Sequence, residues 1–181
     1  KIQTSAPYLE GMVELQDASS QAVVQALPLT EGMRVLDLCA GGGGKTLALA
    51  ARARLRLFAH DADPRRMRDL PPRAARAGAK VTLTENPEKT APYDLILTDV
   101  PCSGSGSWRR DPEGKWRLTP DRLSALTTLQ ARIMDRAAAM LRPGGVLAYA
   151  TCSLLSVENA AQVAAFLHRH PGWLAEMQRS V

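Results

Sequence analysis

The chain has 181 residues, 45% of them apolar and 23% charged, and its 23 Lys and Arg against 18 Asp and Glu leave a formal charge of +5. That composition argues against intrinsic disorder, and no apolar run approaches the ~18–20 residues of a membrane span. Three cysteines, Cys39, Cys102 and Cys152, lie far apart with no Cys-x-x-Cys, which argues against a disulfide framework or a zinc site and suits a reducing, cytoplasmic setting.

Lys1-Ile-Gln-Thr4 has neither a starting Met nor an apolar signal segment, so a piece of a longer chain is expected. One domain is expected overall, residues 1–30 forming a lead-in segment and helix and 31–181 the core. Glu10-Gly11 predicts a hairpin turn. Asp17 to Ser20 offers helix caps before the apolar run Ala22 to Leu27, which Pro28 ends. Arg34 to Leu38 reads as a buried strand, Gly41 to Gly44 as a turn, and Lys45 to about Arg54 as a helix. Leu55 to Ala59 is a second strand. Pro64 opens a basic helix running towards Ala77, with Gly78 as its C-cap. Lys80 to Thr84 and Tyr93 to Asp99 are the third and fourth strands, and residues 100–118 a long loop. Pro120 starts the longest helix, with Leu123, Leu126, Gln130, Ile133, Ala137 and Leu141 on one face, stopped by Pro143-Gly144-Gly145. Val146 to Ala150 is the fifth strand, and Ser156 caps a last helix from Val157 to about His168.

Strand and helix alternate, which predicts an α/β fold: a mostly parallel sheet with helices on both faces. Ligands of such sheets bind beyond the carboxyl ends of the strands, near the switch in strand order. Segments 37–46, 60–66, 85–88, 99–116 and 151–159 fall at those ends, and they carry the chemistry.

Asp37-Leu-Cys-Ala-Gly-Gly-Gly-Gly-Lys-Thr46 joins a strand to a helix. Glycines let backbone amides approach a ligand, and the helix N-terminus favours negative charge. The spacing is not that of a Walker A loop, nor a clean dinucleotide fingerprint. Asp61, about 20 residues on, stands where a carboxylate accepts from a ribose diol; as the residue before Pro64's helix it could equally be a cap. Nicotinamide cofactors and S-adenosylmethionine both carry such a ribose. Cys102 and Cys152 follow strand ends in polar surroundings, with Asp99, Ser103 and Ser153 nearby in sequence and Lys45, Arg109 and Arg110 available to stabilise a thiolate. One chemistry that uses such thiols is methylation of pyrimidine C5. A thiolate adds at C6 and makes C5 nucleophilic, an acid supports the ring, and a base later removes the C5 proton.

The chain resembles the RNA cytosine-C5 methyltransferases of the RsmB/Sun (Fmu) and NOP2/Sun group. Asp37 to Thr46 is similar to that family's D-x-C-A-A-P-G-G-K-T, Asp99 to Trp116 to D-x-P-C-S-G-x-G-x-x-R-R-x-P-E-x-x-W, and Tyr149 to Asn159 to Y-x-T-C-S followed after four residues by E-N. Gln16-Asp17 and Ser20-Gln21 match a further Q-D…S-Q element. The resemblance implies a Rossmann-like class I S-adenosylmethionine methyltransferase. It implies that Cys152 is the nucleophile, that Cys102 assists product release, and that Asp99 lies between the cofactor and the N3/N4 edge of cytosine. It also implies a cofactor held by Cys39, Ala40, Gly41, Gly42, Gly43, Gly44 and Lys45, with Asp61 on the ribose, Arg66 beside them and Asn86 towards the adenine.

Two departures bear on the cofactor. Gly41-Gly42 replaces Ala-Pro, and Asn86 stands where the family has Asp, so affinity is expected to fall. They suggest an alternative: a catalytically weakened cofactor- or RNA-binding relic of the same fold. The family's closing strands have no counterpart before Val181, so the sheet is expected to lack its last strand or strands. The expected partner is RNA, ribosomal rather than transfer RNA, and no membrane or metal; the family's N-terminal RNA-targeting domain is expected in the full-length protein. Trp108 and Trp116 are open to two readings, stacking on RNA or packing under the loop. The basic residues Arg65, Arg66, Arg68, Arg73 and Arg76 read either as phosphate contacts or as a solvated face.

Overall fold

The structure is a computed structural model and describes residues 1–178. Five strands form one sheet: β1 (Arg34–Asp37), β2 (Arg56–Ala59), β3 (Val81–Leu83), β4 (Tyr93–Asp99) and β5 (Leu141–Ala150), in the order β3-β2-β1-β4-β5. β1 pairs in parallel with both β2 and β4, and β2 with β3. Strand order therefore reverses at β1, and β4 follows on its other side. The helices are α1 (Ala6–Leu9), α2 (Ala18–Gln25), α3 (Gly44–Arg52), α4 (Leu70–Arg76), α5 (Glu113–Arg117), α6 (Pro120–Met140) and α7 (Ala160–Arg169). This is the doubly wound α/β pattern that the strand-helix alternation predicts. Among the described residues, no helix is long and apolar enough to cross a membrane.

The chain divides into two compact units, one of Lys1–Leu97 with Met140–Ala148, the other of Thr98–Ala139 with the residues from Tyr149 onward. The core of the first is the continuously apolar strand set expected of a parallel sheet covered on both faces. Val35, Leu57, Leu95 and Leu97 from the strands are buried with Val24 of α2 and Leu49 of α3. A second cluster packs Leu47 and Ala59 against Met67, Leu70 and Ala74. In the second unit α6 buries Gln130, Met134 and Ala137, and α7 buries Gln162 and Phe166. The Gln162 Nε2 amide donates to the Thr127 carbonyl at 2.9 Å, so the two helices are tied as well as packed.

Several elements depart from expectation for local physical reasons. No hairpin forms at Glu10-Gly11. Pro7 starts the one-turn α1, and Gly11 follows at φ +77. A Cβ there would lie 1.8 Å from the Arg76 carbonyl oxygen, so only glycine passes. The basic helix expected from Pro64 to Ala77 is broken. A 3-10 turn covers Pro64–Met67, and α4 begins only at Leu70. Pro71 and Pro72 have no amide hydrogen to donate back into a preceding turn, but they fit the first turn of a new helix. Residues 100–118 hold the short helix α5 rather than loop alone. α6 ends at Met140, before Pro143, and β5 starts at Leu141, with Gly144 left-handed at φ +73 where the turn was expected. Ser156 opens a 3-10 turn, Ser156–Glu158, and α7 starts after Asn159.

Candidate active site

The loop after β1 belongs to the first unit and is built almost wholly from main-chain hydrogen bonds. The Ala40 amide donates to the His60 carbonyl, and the Gly43 amide to the Ala40 carbonyl, both at 2.9 Å. Gly41 and Gly43 are left-handed at φ +49 and +83, a conformation that costs other residues ~1–2 kcal/mol. Gly43 also lies so close to α4 that a Cβ would sit 2.3 Å from Leu70 Cδ1. Thr46 Oγ1 donates to Asp37 Oδ2 at 2.7 Å and pins the first turn of α3 to the end of β1.

Asp61 braces this loop. Its Oδ2 accepts from the Gly41 amide at 3.0 Å and meets the Arg66 guanidinium at 3.3 Å, while Oδ1 accepts from the Asp63 amide at 3.0 Å. The cap of the following turn is Asp63, whose side chain accepts from the Arg65 amide, so Asp61 is not the cap. The structure thus joins Gly41, Asp61 and Arg66 in one cluster. Lys45 Nζ donates to Ser20 Oγ at 3.4 Å, and the Gln16 amide approaches Gly44, which brings the Q-D…S-Q element to the loop. Asn86 stands exposed at the head of the 3-10 turn Pro87–Thr90 after β3. Left-handed glycines, a Gly42 whose Cβ position meets only Arg73 Nη1 at 3.6 Å, and a carboxylate able to accept further hydrogen bonds fit a nucleoside carrying a charged amino-acid tail.

The five arginines of 65–76 are engaged with acids or main chain. Arg65 bonds Asp63, Arg66 bonds Asp61, and Arg68 lies 3.6 Å from Asp69. Arg73 and Arg76 both reach Glu14 Oε2, at 3.3 and 2.5 Å, Arg73 also donates to the Gly42 carbonyl, and Arg76 lies 4.1 Å from the Tyr8 ring centroid. Burial works to raise the Glu14 carboxyl, but hydrogen bonds from Arg73 and the Leu15 amide and the charges of Arg73 and Arg76 hold it below the ordinary carboxylate value. Arg73 and Arg76 are thus spent on the fold, whereas Arg65, Arg66 and Arg68 keep exposed side chains.

The second unit holds the thiols. Cys102 follows β4, Cys152 follows β5, and neither is in a disulfide, with Sγ···Sγ 3.3 Å apart. Cys152 is exposed and Cys102 half-buried. The hydrogen bond to Cys152, then burial, push the Cys102 thiol well above its ordinary value. Asp99, at the end of β4, is half-buried in the same unit.

The thiol loops are held by side chains. Glu158 is fully buried. Its Oε1 accepts from the Ser103 amide at 2.8 Å and from Gln130 Nε2 at 2.9 Å, and its Oε2 accepts from the hydroxyls of Ser103 and Ser153. Gln130 Nε2 also donates to the Pro101 carbonyl, and Tyr149 Oη to the Glu158 carbonyl. Asn159 accepts from Thr151 Oγ1 at 2.6 Å and donates to the carbonyls of Ser153 and Leu155. Gly106 N–H donates to the Cys152 carbonyl at 2.9 Å, where a Cβ would collide. Burial works to raise Glu158, but the hydrogen bonds of Ser103, Ser153 and Gln130 outweigh it and keep the carboxyl below its ordinary value. Burial, and next the charge of Glu158, push the Tyr149 hydroxyl upward. Glu158, Gln130 and Ser103 do not stand among the residues expected to act; their sequence signals are Glu158-Asn159 at fixed spacing after the second cysteine, Ser103 directly after the first, and a polar Gln130 on the apolar face of the longest helix.

Trp108 and Trp116 separate. Trp108 packs beside Gly114 with its indole nitrogen buried, whereas Trp116 is 81% exposed. Among the described residues, no group of three His, Cys, Asp or Glu could hold a metal ion.

Residues 24–180 match a family model described as 16S rRNA methyltransferase RsmB/F. The chain is 39% identical to ribosomal RNA small subunit methyltransferase B of Salmonella arizonae over 94% of its own length and 43% of the relative's. It therefore spans about two fifths of such curated relatives. Among solved structures it is similar to NSun6 from Pyrococcus horikoshii, solved with SFG, an analogue of S-adenosylmethionine (26% identity, TM-score 0.82, 93% of this chain and 45% of that one). It is also similar to a methyltransferase homolog protein from the same organism (31% identity, TM-score 0.78, 93% and 55%).

Proposed function

Because the chain belongs to the RsmB/F family of S-adenosylmethionine-dependent rRNA methyltransferases, we propose that it methylates C5 of a cytosine in RNA, ribosomal RNA by preference, through a covalent bond from Cys152 to C6. The observation that carries this reading is the thiol pair itself. One exposed and one half-buried thiol, 3.3 Å apart and outside any disulfide, support a division of labour of the kind C5 chemistry needs.

Bound S-adenosylmethionine supplies the methyl group. Cys39 to Lys45, Asp61, Arg66, Asn86 and Asp99 are the residues that would hold it. The Cys152 thiolate adds to C6, and the ring electrons move towards N3, the edge that Asp99 would face and where a hydrogen-bond donor stabilises the developing charge. C5 then takes the methyl group. A base must remove the C5 proton so that the C5–C6 double bond re-forms and Cys152 leaves. Cys102 serves at that step, as the base or beside it. The setting expected is the cytoplasm.

The test is a Cys102→Ala variant incubated with cellular RNA and S-adenosylmethionine and run on a denaturing gel. A protein–RNA adduct that accumulates, and disappears when Cys152→Ser is added, is the expected result. Absence of any adduct in a protein that still binds RNA and S-adenosylmethionine overturns the two-cysteine assignment.

A further inference from the structure

We propose that Glu158 is the positioning residue of the thiol pair: its buried carboxylate bonds the loop of Cys102 through Ser103 and the loop of Cys152 through Ser153, and so sets the approach of the two sulfurs. The role of the pair rests on the proposed function; the clamp rests on geometry alone.

Each thiol sits one residue before a serine whose hydroxyl donates to the same oxygen, Glu158 Oε2. The other oxygen takes the Ser103 amide and Gln130 of α6, which also holds the Pro101 carbonyl just ahead of Cys102. Four donors thus converge on one side chain that has no exposure to water. The serines are further joined, Ser103 to Ser153 at 3.2 Å and Ser105 to Ser153 at 3.0 Å, while Ser105 Oγ accepts from the Leu154 amide. Two loops that follow different strands have few main-chain ladders to fix them. A buried charge with every donor aimed at it is an effective substitute, since charge-assisted hydrogen bonds are short and about twice as strong as neutral ones. A carboxylate matches the site best because all four partners donate. A glutamine can keep the arrangement in part, as its oxygen still accepts from Ser103 N–H and Gln130 and the serine hydroxyls can turn to accept.

The clamp is testable without RNA. Phenylarsine oxide binds two thiols at once, exchanging its oxygen for two arsenic–sulfur bonds with release of one water, and this requires thiols held close together. Wild-type protein should capture it rapidly, Glu158→Gln nearly as well, and Glu158→Ala poorly. S-adenosylmethionine affinity should be the same in all three. With RNA, Glu158→Ala should lose about 100-fold in kcat, the scale of a 1 Å misplacement, with KM for RNA unchanged. Glu158→Gln should restore most of it. If Glu158→Ala does not fold, the double variant Ser103→Ala/Ser153→Ala removes only the hydroxyl arms and should slow capture and turnover together. Capture and kcat at wild-type level in a folded Glu158→Ala, or in the double serine variant, overturn the proposal. Lost capture with undiminished methylation would uphold the clamp and overturn the two-thiol reading of the function instead.

Discussion

The loop of the first unit and the thiol loops of the second solve the same problem by opposite means. The loop around Gly41 is shaped by main-chain bonds and left-handed glycines, with the buried carboxylates of Asp61 and Asp37 as braces. The loops of Cys102 and Cys152 are shaped by side chains, chiefly Glu158 with Ser103, Ser153 and Gln130. A main-chain site tolerates most side-chain changes and fails when a Cβ is added. A site held by one buried carboxylate fails when that carboxylate is cut away. The Gly41-Gly42 departure from the family's Ala-Pro falls in the first region; the cysteine motifs, which match at their fixed positions, fall in the second.

The largest expected effect is on stability in the second region. Glu158→Ala leaves buried donors without an acceptor, at ~1–3 kcal/mol for each group left unmet, so a loss of about 3 kcal/mol is expected in denaturant unfolding. A loss under about 1 kcal/mol would mean that water replaces the carboxylate and would remove the contrast.

Next comes Gly43→Ala in the first region. The new Cβ meets Leu70 Cδ1 at 2.3 Å in a left-handed backbone, and about 1–3 kcal/mol should be lost, with weaker S-adenosylmethionine binding by calorimetry. Gly42→Ala beside it is nearly open and should change stability by no more than about 0.5 kcal/mol. Equal losses at 42 and 43 would show that shape is not set as described.

The charge of Glu158 gives a pH signature. Its folded carboxyl lies below the ordinary value of 4.5. The native state therefore binds fewer protons than the unfolded chain in that window. The stabilisation is fully present above about pH 4.5 and is lost as pH falls through the lower folded value. The stability gap between wild type and Glu158→Gln should shrink on acidification, and a gap that widens would reverse the sign.

The smallest effect is expected at Glu14→Gln, which weakens a partly exposed pair with Arg73 and Arg76. About 1 kcal/mol or less is expected, decreasing with added salt in thermal melts.

Much of the fold was legible because it rests on local pattern. Short apolar strands alternating with helices imply a parallel sheet, and β4 is legible to the residue because Leu95-Ile96-Leu97 is an apolar centre set between Tyr93-Asp94 and Thr98-Asp99. The break between the Pro64 turn and α4 is equally local, since Pro71 and Pro72 mark where a new helix starts. The cysteines stood out by their position after strands. That their sulfurs lie 3.3 Å apart is a matter of chains 50 residues distant, and no spacing rule states it.

By itself, then, the sequence determined which side chains are available and after which strand each one falls, because propensity, capping and hydrophobic period act over a few residues. Tertiary structure alone decided what each polar group is bonded to. Asp61 became a loop brace rather than a cap, Arg73 and Arg76 became partners of Glu14, and Glu158 became the centre of the thiol loops. A buried polar group must find its donors wherever the fold brings them, and for Glu158 they came from Ser103 and Gln130, 55 and 28 residues away.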